Sequence, residues 1–410
     1  MKGILLTLIA FLFSSSLFSQ ADRASIHPIR VDVVYLASEY LKGREAGTEE
    51  AYLSAEYIAQ RMQDLGLKPA GTNETWYQPF DFRYNPGPNA EAGKGEPRTC
   101  RNVVGLLDNG AENTVVIGAH FDHLGYGAGN SRTPNTHEIH NGADDNASGV
   151  AGLLYVAEQL KESKAKSNNY LFVAFSAEEL GLFGSKHFVK HSPVPVSKMN
   201  YMLNMDMIGR LDPSKNLAVT ATGTSPAWDP TFQALESLGF TIAKTPGGIG
   251  PSDHTSFYVE DVPCLHFFTG AHDDYHTPAD DAGLVNFEGI YDISEYLLAL
   301  IEKLDEMGKL EFTKTKDNDE GKKRASYKVT LGVMPDYAFA DGGMRIEAVI
   351  EGRTADQAGI EDGDIVTQIG DHKVGDIYGY MEALSKFEKG STTEVTVLRG
   401  KKKVKKKVTF

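Results

Sequence analysis

The sequence predicts a three-layer α/β/α domain with a mixed, mostly parallel sheet, followed by a small β-rich domain. Three observations carry that expectation. Short apolar runs rich in β-branched and aromatic residues alternate with amphipathic helical patterns from about Ile29 to Gly308. The runs are nearly continuous in apolar character, as strands buried on both faces are. After a charged stretch the texture changes to short strands punctuated by Gly and Asp.

The individual elements follow in chain order. "MKGILLTLIAFLFSSSLFSQA" has one early Lys, a short apolar run and small or polar residues after it, the pattern of a cleaved signal peptide over residues 1–20. Export to a periplasmic or secreted location, without a stable membrane anchor, is the expectation. Strands are expected at "TVVIGAHFDH", "YLFVAFSAEE", "YMLNMDMIG", "LAVTATG" and "VPCLHFF". Val150, Leu153, Leu154, Ala157 and Leu160 share one helical face, as do Ile290, Ile293, Leu297, Leu300, Ile301 and Leu304. The first domain is expected over 21–308. "LEFTKTKDNDEGKKRAS" has no sustained apolar period and marks a linker over 309–325, with the second domain over 326–410. "GKKKVKKKV" follows "TEVTVLR" across a Gly-Lys turn and reads as a solvent-facing final hairpin strand.

Bulk properties exclude some functions. A formal charge of −15 over 410 residues argues against nucleic-acid binding, which needs a basic face. Only Cys100 and Cys264 occur, so disulfides do not frame the fold; one bridge is open, but Cys264 within "DVPCLHFF" reads as a small core residue.

Polar residues gather at the expected carboxyl ends of successive strands, where open α/β sheets bind ligands. His120 and Asp122 end one strand, Glu178 and Glu179 another, and Asp206 a third. His276 lies in the loop after "PCLHFF", and Asp144 and Asp145 lead into a helix. Two adjacent acids exceed what a helix cap requires. Two imidazoles with several carboxylates suit zinc. Asp144, Glu179 and Asp206 with two neutral histidines and one hydroxide carry four negative charges, which two Zn²⁺ ions balance. Asp144 is the expected bridge, with Asp145 directed elsewhere because adjacent side chains diverge.

"GAHFDHLG", "NGADDNASG", "FSAEELGLFGS", "NMDMIGR" and "DDYHTPAD", in that order, resemble the co-catalytic zinc exopeptidases of the bacterial leucyl aminopeptidase and glutamate carboxypeptidase II family. The resemblance runs from Arg101 to about Glu306. It implies that His120 and Asp206 bind one zinc, Glu179 and His276 the other, and that Asp144 bridges them, with the Asp144-Asp145 peptide cis. Glu178 matches the family's general base, acting on a water between two zincs. Asp122 matches the acid that orients His120. Tyr275 matches a tyrosine that donates to the oxyanion in some members. His123, His137 and His140 fall in or beside a Gly-rich insertion read as a surface loop. Asp253 and His254 read as structural or pocket-wall residues, and His187 and His191 as exposed helix positions.

"ADQAGIEDGDIVTQIGDHKV" resembles a protease-associated PDZ domain, with Gly359, Gly363, Asp364 and Ile365 in characteristic places. "LGVMP" would form its carboxylate loop and Ile377 to Phe387 its groove helix, taking a peptide or protein C-terminus by β-addition. The activity implied is that of an exported metallo-aminopeptidase acting on peptides with a free N-terminus. Asp273, Asp274 and Asp280 are candidates for holding the amine. Alternatives are a carboxypeptidase, for which Arg210 offers a carboxylate partner, a one-zinc glutaminyl cyclase, and a non-catalytic protein that binds peptides through its PDZ domain.

Overall fold

The computed structural model describes residues 26–84, 95–127, 131–133, 136–315, 329–335, 342–350, 352–375 and 377–410. The expected signal segment and most of the expected linker lie outside the described residues.

Nine strands form one sheet: β1 (Lys68–Pro69), β2 (Tyr77–Tyr84), β3 (Glu96–Leu107), β4 (Asn113–His120), β5 (Asn168–Phe175), β6 (Met199–Met205), β7 (Asn216–Thr220), β8 (Thr241–Lys244) and β9 (Cys264–Phe268). Their order is β1-β3-β5-β4-β6-β9-β7-β8, with β2 against β3. The centre, β5-β4-β6-β9, is parallel, while β3 joins β5 and β7 joins β9 antiparallel. The five strands expected from the sequence are β4, β5, β6, β7 and β9.

Alternation along the strands separates two cores. Val115, Ile117 and Ala119 of β4 face one side with Phe172 of β5, and Val116 faces the other with Leu171 and Val173. The first face is covered by helical residues 26–36 (α1), α2 (Glu49–Asp64), α3 (Gly149–Leu160) and α7 (Phe287–Asp305), named in chain order. The second is covered by α4 (Phe183–His191) and α6 (His254–Tyr258), through Phe188 and Phe257; α5 is Trp228–Ala234. Burying a side chain such as Phe172 contributes about 1.5–3 kcal/mol, so these two apolar faces fix which way each strand presents its end. Local signals set the helix ends. Thr48 Oγ1 accepts from Ala51 N to cap α2, and Asn286 accepts from Gly289 N to cap α7. Both cysteines are buried free thiols.

Residues 310–315, at the start of the charged stretch, pack on this domain: Leu310 N donates to Asn200, Thr313 N to Thr224 O, and Thr315 N to the Tyr258 hydroxyl. Beyond it, β10 (Val333–Pro335), β11 (Met344–Val349), β12 (Ile365–Ile369), β13 (His372–Lys373), β14 (Thr392–Arg399) and β15 (Lys402–Thr409) form an antiparallel sheet with helices α8 (Thr354–Gln357) and α9 (Ile377–Leu384). Its core contains Leu331, Ile346, Val366, Ile369, Val395 and Val397. The final basic strand pairs with β14 as the alternation implies, Lys405 meeting Glu394 at 2.6 Å.

Candidate active site

The parallel register sets the site. His120 pairs with Phe175 at the carboxyl ends of β4 and β5, so the residues that follow, Asp122, Glu178 and Glu179, emerge together. Asp206 follows β6, its N–H bonded to Phe267 O of β9. Ala177, Met207 and His276 hold positive φ of 57°, 53° and 55°, a costly conformation for non-glycine residues.

The converging donors are His120, Asp145, Glu179, Asp206 and His276. His120 Nε2 lies 3.2 Å from Asp145 Oδ1 and 3.2 Å from Asp206 Oδ1. His276 Nε2 lies 3.0 Å from Asp145 Oδ2 and 3.2 Å from Glu179 Oε2. One carboxylate therefore stands between two imidazoles, and it is Asp145, where the sequence reading placed Asp144. Asp144 turns away: its Oδ1 accepts from Gly209 N at 2.6 Å and its Oδ2 lies 3.1 Å from His272 Nε2. The reason is backbone. Gly142 sits at φ 58°, and the buried Asp280 carboxylate accepts the N–H groups of both Asp144 and Asp145, which aims Asp145 inward. A Cβ on Gly142 would come within 2.2 Å of Asp145 O. The cis peptide is correspondingly Asp145-Asn146, one residue later than expected.

Glu178 is partly buried beside the cluster, its Oε2 3.9 Å from His120 Nε2, farther than the other donors. Asp122 bears on His120 mainly through its main chain: its carbonyl oxygen is 3.2 Å from His120 Nδ1, whereas its carboxylate is 3.9 Å away and accepts from Glu178 N at 3.1 Å. Ser252 donates to Asp206 Oδ2 at 2.7 Å. Tyr275 stacks on His276 with ring centroids 3.9 Å apart and borders the cavity above the cluster.

Several residues take places that residue type did not signal or that differ from expectation. His123, expected on a surface loop, is buried with Nδ1 2.8 Å from Glu179 Oε1 and 3.7 Å from Asp145 Oδ2. Arg44 is fully buried and donates to the carbonyls of Leu36, Phe121, Asn141 and Gly142. Asp280, expected as an amine-binding candidate, is instead spent on the double-aspartate loop and lies 3.5 Å from Arg210, which also pairs with Asp274 at 3.0 Å. His140 is a buried loop strut bonded to Ser131 and the Glu138 carbonyl; burial lowers it to about 4. Asp253 and His254 are buried at the start of α6, and His191 is exposed, whereas His187, expected to be exposed, is half-buried and stacks on Phe80 and His191.

Crowding of acids governs the electrostatics. Burial opposes charge on His276, but Glu179 and Asp145 outweigh it and raise it to about 10. Burial likewise opposes charge on His120, which Asp206 and Glu178 hold well above the usual imidazole range. Burial would raise Asp145, yet His120 and His276 hold it well below the ordinary carboxylate range. Burial pushes Glu178 well up and Asp122 to about 7. Without a cation, then, the crowded acids favour protonated imidazoles. A divalent metal performs the same balancing, and the donor set suits zinc: His120, Asp145 and Asp206, and His123, Asp145 and Glu179, each offer atoms within 4.8 Å of one another.

Residues 102–301 match the model of Peptidase family M28, and residues 311–410 that of a PDZ domain. The chain carries an M28 peptidase domain. That domain's sequence is similar to Aminopeptidase YwaD of Bacillus subtilis, 29% identical over 218 residues, covering 50% of this chain and 44% of that protein. It is also similar to the probable lipoprotein aminopeptidase LpqL of Mycobacterium tuberculosis, 30% identical over 187 residues, covering 42% and 35%. The chain thus spans less than half the length of these curated relatives. Among solved structures, the zinc aminopeptidase BSAP of Bacillus subtilis aligns with a TM-score of 0.54 at 20% identity, covering 70% of this chain and 95% of that one. Porphyromonas gingivalis glutaminyl cyclase aligns with a TM-score of 0.55 at 18% identity, covering 68% and 98%. At these identities the M28 domain shares the fold of both; the side chains at the site must separate the activities.

Proposed function

We propose that the protein is an exported, zinc-dependent aminopeptidase that removes N-terminal residues from peptides, holding two Zn²⁺ per chain. The observation that carries this reading is the Asp145 carboxylate standing between His120 and His276, with Asp206 and Glu179 on either side. His120 and Asp206 would hold one zinc, Glu179 and His276 the other, and Asp145 both. Zinc bound there acidifies water and polarises the scissile carbonyl.

The remaining chemistry belongs to the chain. Glu178 stands farther from the imidazoles than the other donors, and burial raises its proton affinity, as a general base requires. It takes a proton from the attacking water and passes it to the leaving amine. The Asp122 carboxylate fixes the Glu178 main chain, and its carbonyl orients His120. Tyr275, against His276 at the cavity edge, is assigned to donate to the oxyanion. Arg210 is committed to Asp274 and Asp280, which weighs against a carboxylate-binding role for it and so favours the aminopeptidase over the carboxypeptidase. Export rests on the pattern of residues 1–20 and accords with a relative named as a lipoprotein. Among the described residues no helix is long and apolar enough to cross a membrane.

The test is metal analysis coupled to hydrolysis of aminoacyl reporters by the wild type and Glu178→Gln. The variant should keep both zincs and lose about 10²–10⁴-fold in turnover. Retained turnover would remove Glu178 from its role, and one zinc with cyclisation of N-terminal Gln would replace the peptidase reading.

A further inference from the structure

The cavity above the acid cluster is not walled by the M28 domain alone. It measures about 600 Å³, and beside His120, Glu178 and Tyr275 it is lined by Val333, Pro335, Ile350 and Met381 of the PDZ domain. Val333 and Pro335 belong to β10, Met381 to α9, and Ile350 directly follows β11. β10 and α9 are the strand and helix between which a PDZ groove accepts an extended peptide. That groove opens into the catalytic cavity.

A second observation ties the two parts together. Arg132, in the Gly-rich insertion, donates its main-chain N–H to His276 O at 3.0 Å and its guanidinium to Asp273 O at 2.8 Å and to Asp362 Oδ2 of the PDZ domain at 3.1 Å. Asp362 Oδ1 in turn accepts from Val349 N at 2.6 Å, next to Ile350 in the cavity wall. The loop that carries His276 and the PDZ wall are thus joined through a single arginine.

We propose that the PDZ groove and the zinc cleft form one composite substrate site, occupied by the substrate peptide itself. Its N-terminal end lies at the acid cluster, and the residues that follow lie against Val333, Pro335, Ile350 and Met381. The occupant is argued from continuity: residues of the strand and helix that bound the groove also line the catalytic cavity, whose volume lies in the range of about 300–1,000 Å³ typical of ligand sites. The chemistry of the walls specifies the substrate class. The first residue lies in the zinc cleft and the PDZ wall is apolar, so the preferred substrates are oligopeptides with apolar residues downstream of the first. This rests on the aminopeptidase reading and adds to it a selection for chain length and downstream composition.

The test uses the full-length, zinc-loaded chain in the Glu178→Gln background, so that binding is read without turnover. Calorimetry measures leucyl-alanyl-phenylalanyl-alanine, its counterpart with glutamate replacing phenylalanine, and leucine amide, each with and without Met381→Ala or Met381→Glu. The expected result is that Met381→Ala weakens the apolar tetrapeptide about tenfold more than leucine amide, as a truncated hydrophobic wall does. Met381→Glu should go further and abolish the preference for phenylalanine over glutamate. Asp362→Ala, which breaks the clasp from the PDZ side, should reduce the same preference. Melting curves identify any variant that fails to fold, and the alanine substitution, which only removes atoms, then decides. Equal effects on tetrapeptide and leucine amide, or none on either, would overturn the composite site. The aminopeptidase reading fails separately, if the zinc-loaded wild type does not hydrolyse leucyl reporters.

Discussion

Arg44 makes no contact with a proposed zinc donor side chain, yet the geometry makes the site depend on it. Its guanidinium donates to four carbonyls from three separate segments: Leu36, Phe121 and the Asn141-Gly142 pair. Phe121 lies between His120 and Asp122, and Gly142 opens the turn that aims Asp145. Burial lowers Arg44 to about 10, so it stays charged at neutral pH. Arg44→Lys keeps the charge but replaces a planar fork by a single nitrogen, which is expected to serve about two of the four acceptors. Two buried carbonyls then lose a charged hydrogen bond, each contributing about 1.5–3 kcal/mol, for a loss of about 4 kcal/mol. At about 2–4 °C per kcal/mol for a domain of this size, Tm should fall by about 10 °C. Differential scanning calorimetry reads this directly, and repeating it with zinc reads the second consequence: the rise in Tm caused by zinc should shrink, because the Asp145 loop is less fixed. A fall of less than about 3 °C with an unchanged zinc effect would refute the reasoning.

Two further outcomes follow from the same geometry. Gly142→Ala places a Cβ 2.2 Å from Asp145 O at φ 58°, so the loop must shift; zinc content should drop well below that of the wild type, and metal analysis of the purified variant checks it. In the metal-free protein the raised His120 and His276 hold protons at pH 7, His276 up to about 10. The contribution of His276 to stability is complete below the ordinary imidazole pKa of about 6.5 and is lost as pH rises through about 10, and that of His120 falls in the same direction. Zinc must displace those protons, so its affinity rises with pH over that window, and titration calorimetry in two buffers at pH 7 should show about two protons released per chain. No release would contradict the electrostatics.

Much of the fold was legible because burial on both faces of a parallel sheet leaves continuous apolar runs, and the positions that end them are the positions of His120, Glu178, Glu179 and Asp206. The choice between Asp144 and Asp145 was not legible. Two identical neighbours carry no pattern of their own, and what selects Asp145 is Asp280, 135 residues away, acting on the backbone. His123 was hidden by the polar insertion it begins, and Arg44 by partners that are main-chain carbonyls, which leave no trace in residue type. The PDZ domain could be recognised from its turn residues, but its place over the cleft, where Arg132 meets Asp362, is a tertiary contact that residue type does not encode.

The central claim is that Asp145 joins two metal centres. Anomalous diffraction at the zinc edge from crystals of the zinc-loaded protein tests it most directly. Two peaks are expected, one beside His120 and Asp206 and one beside Glu179 and His276, with the Asp145 carboxylate between them. A single peak, or peaks bridged by Asp144, would contradict it.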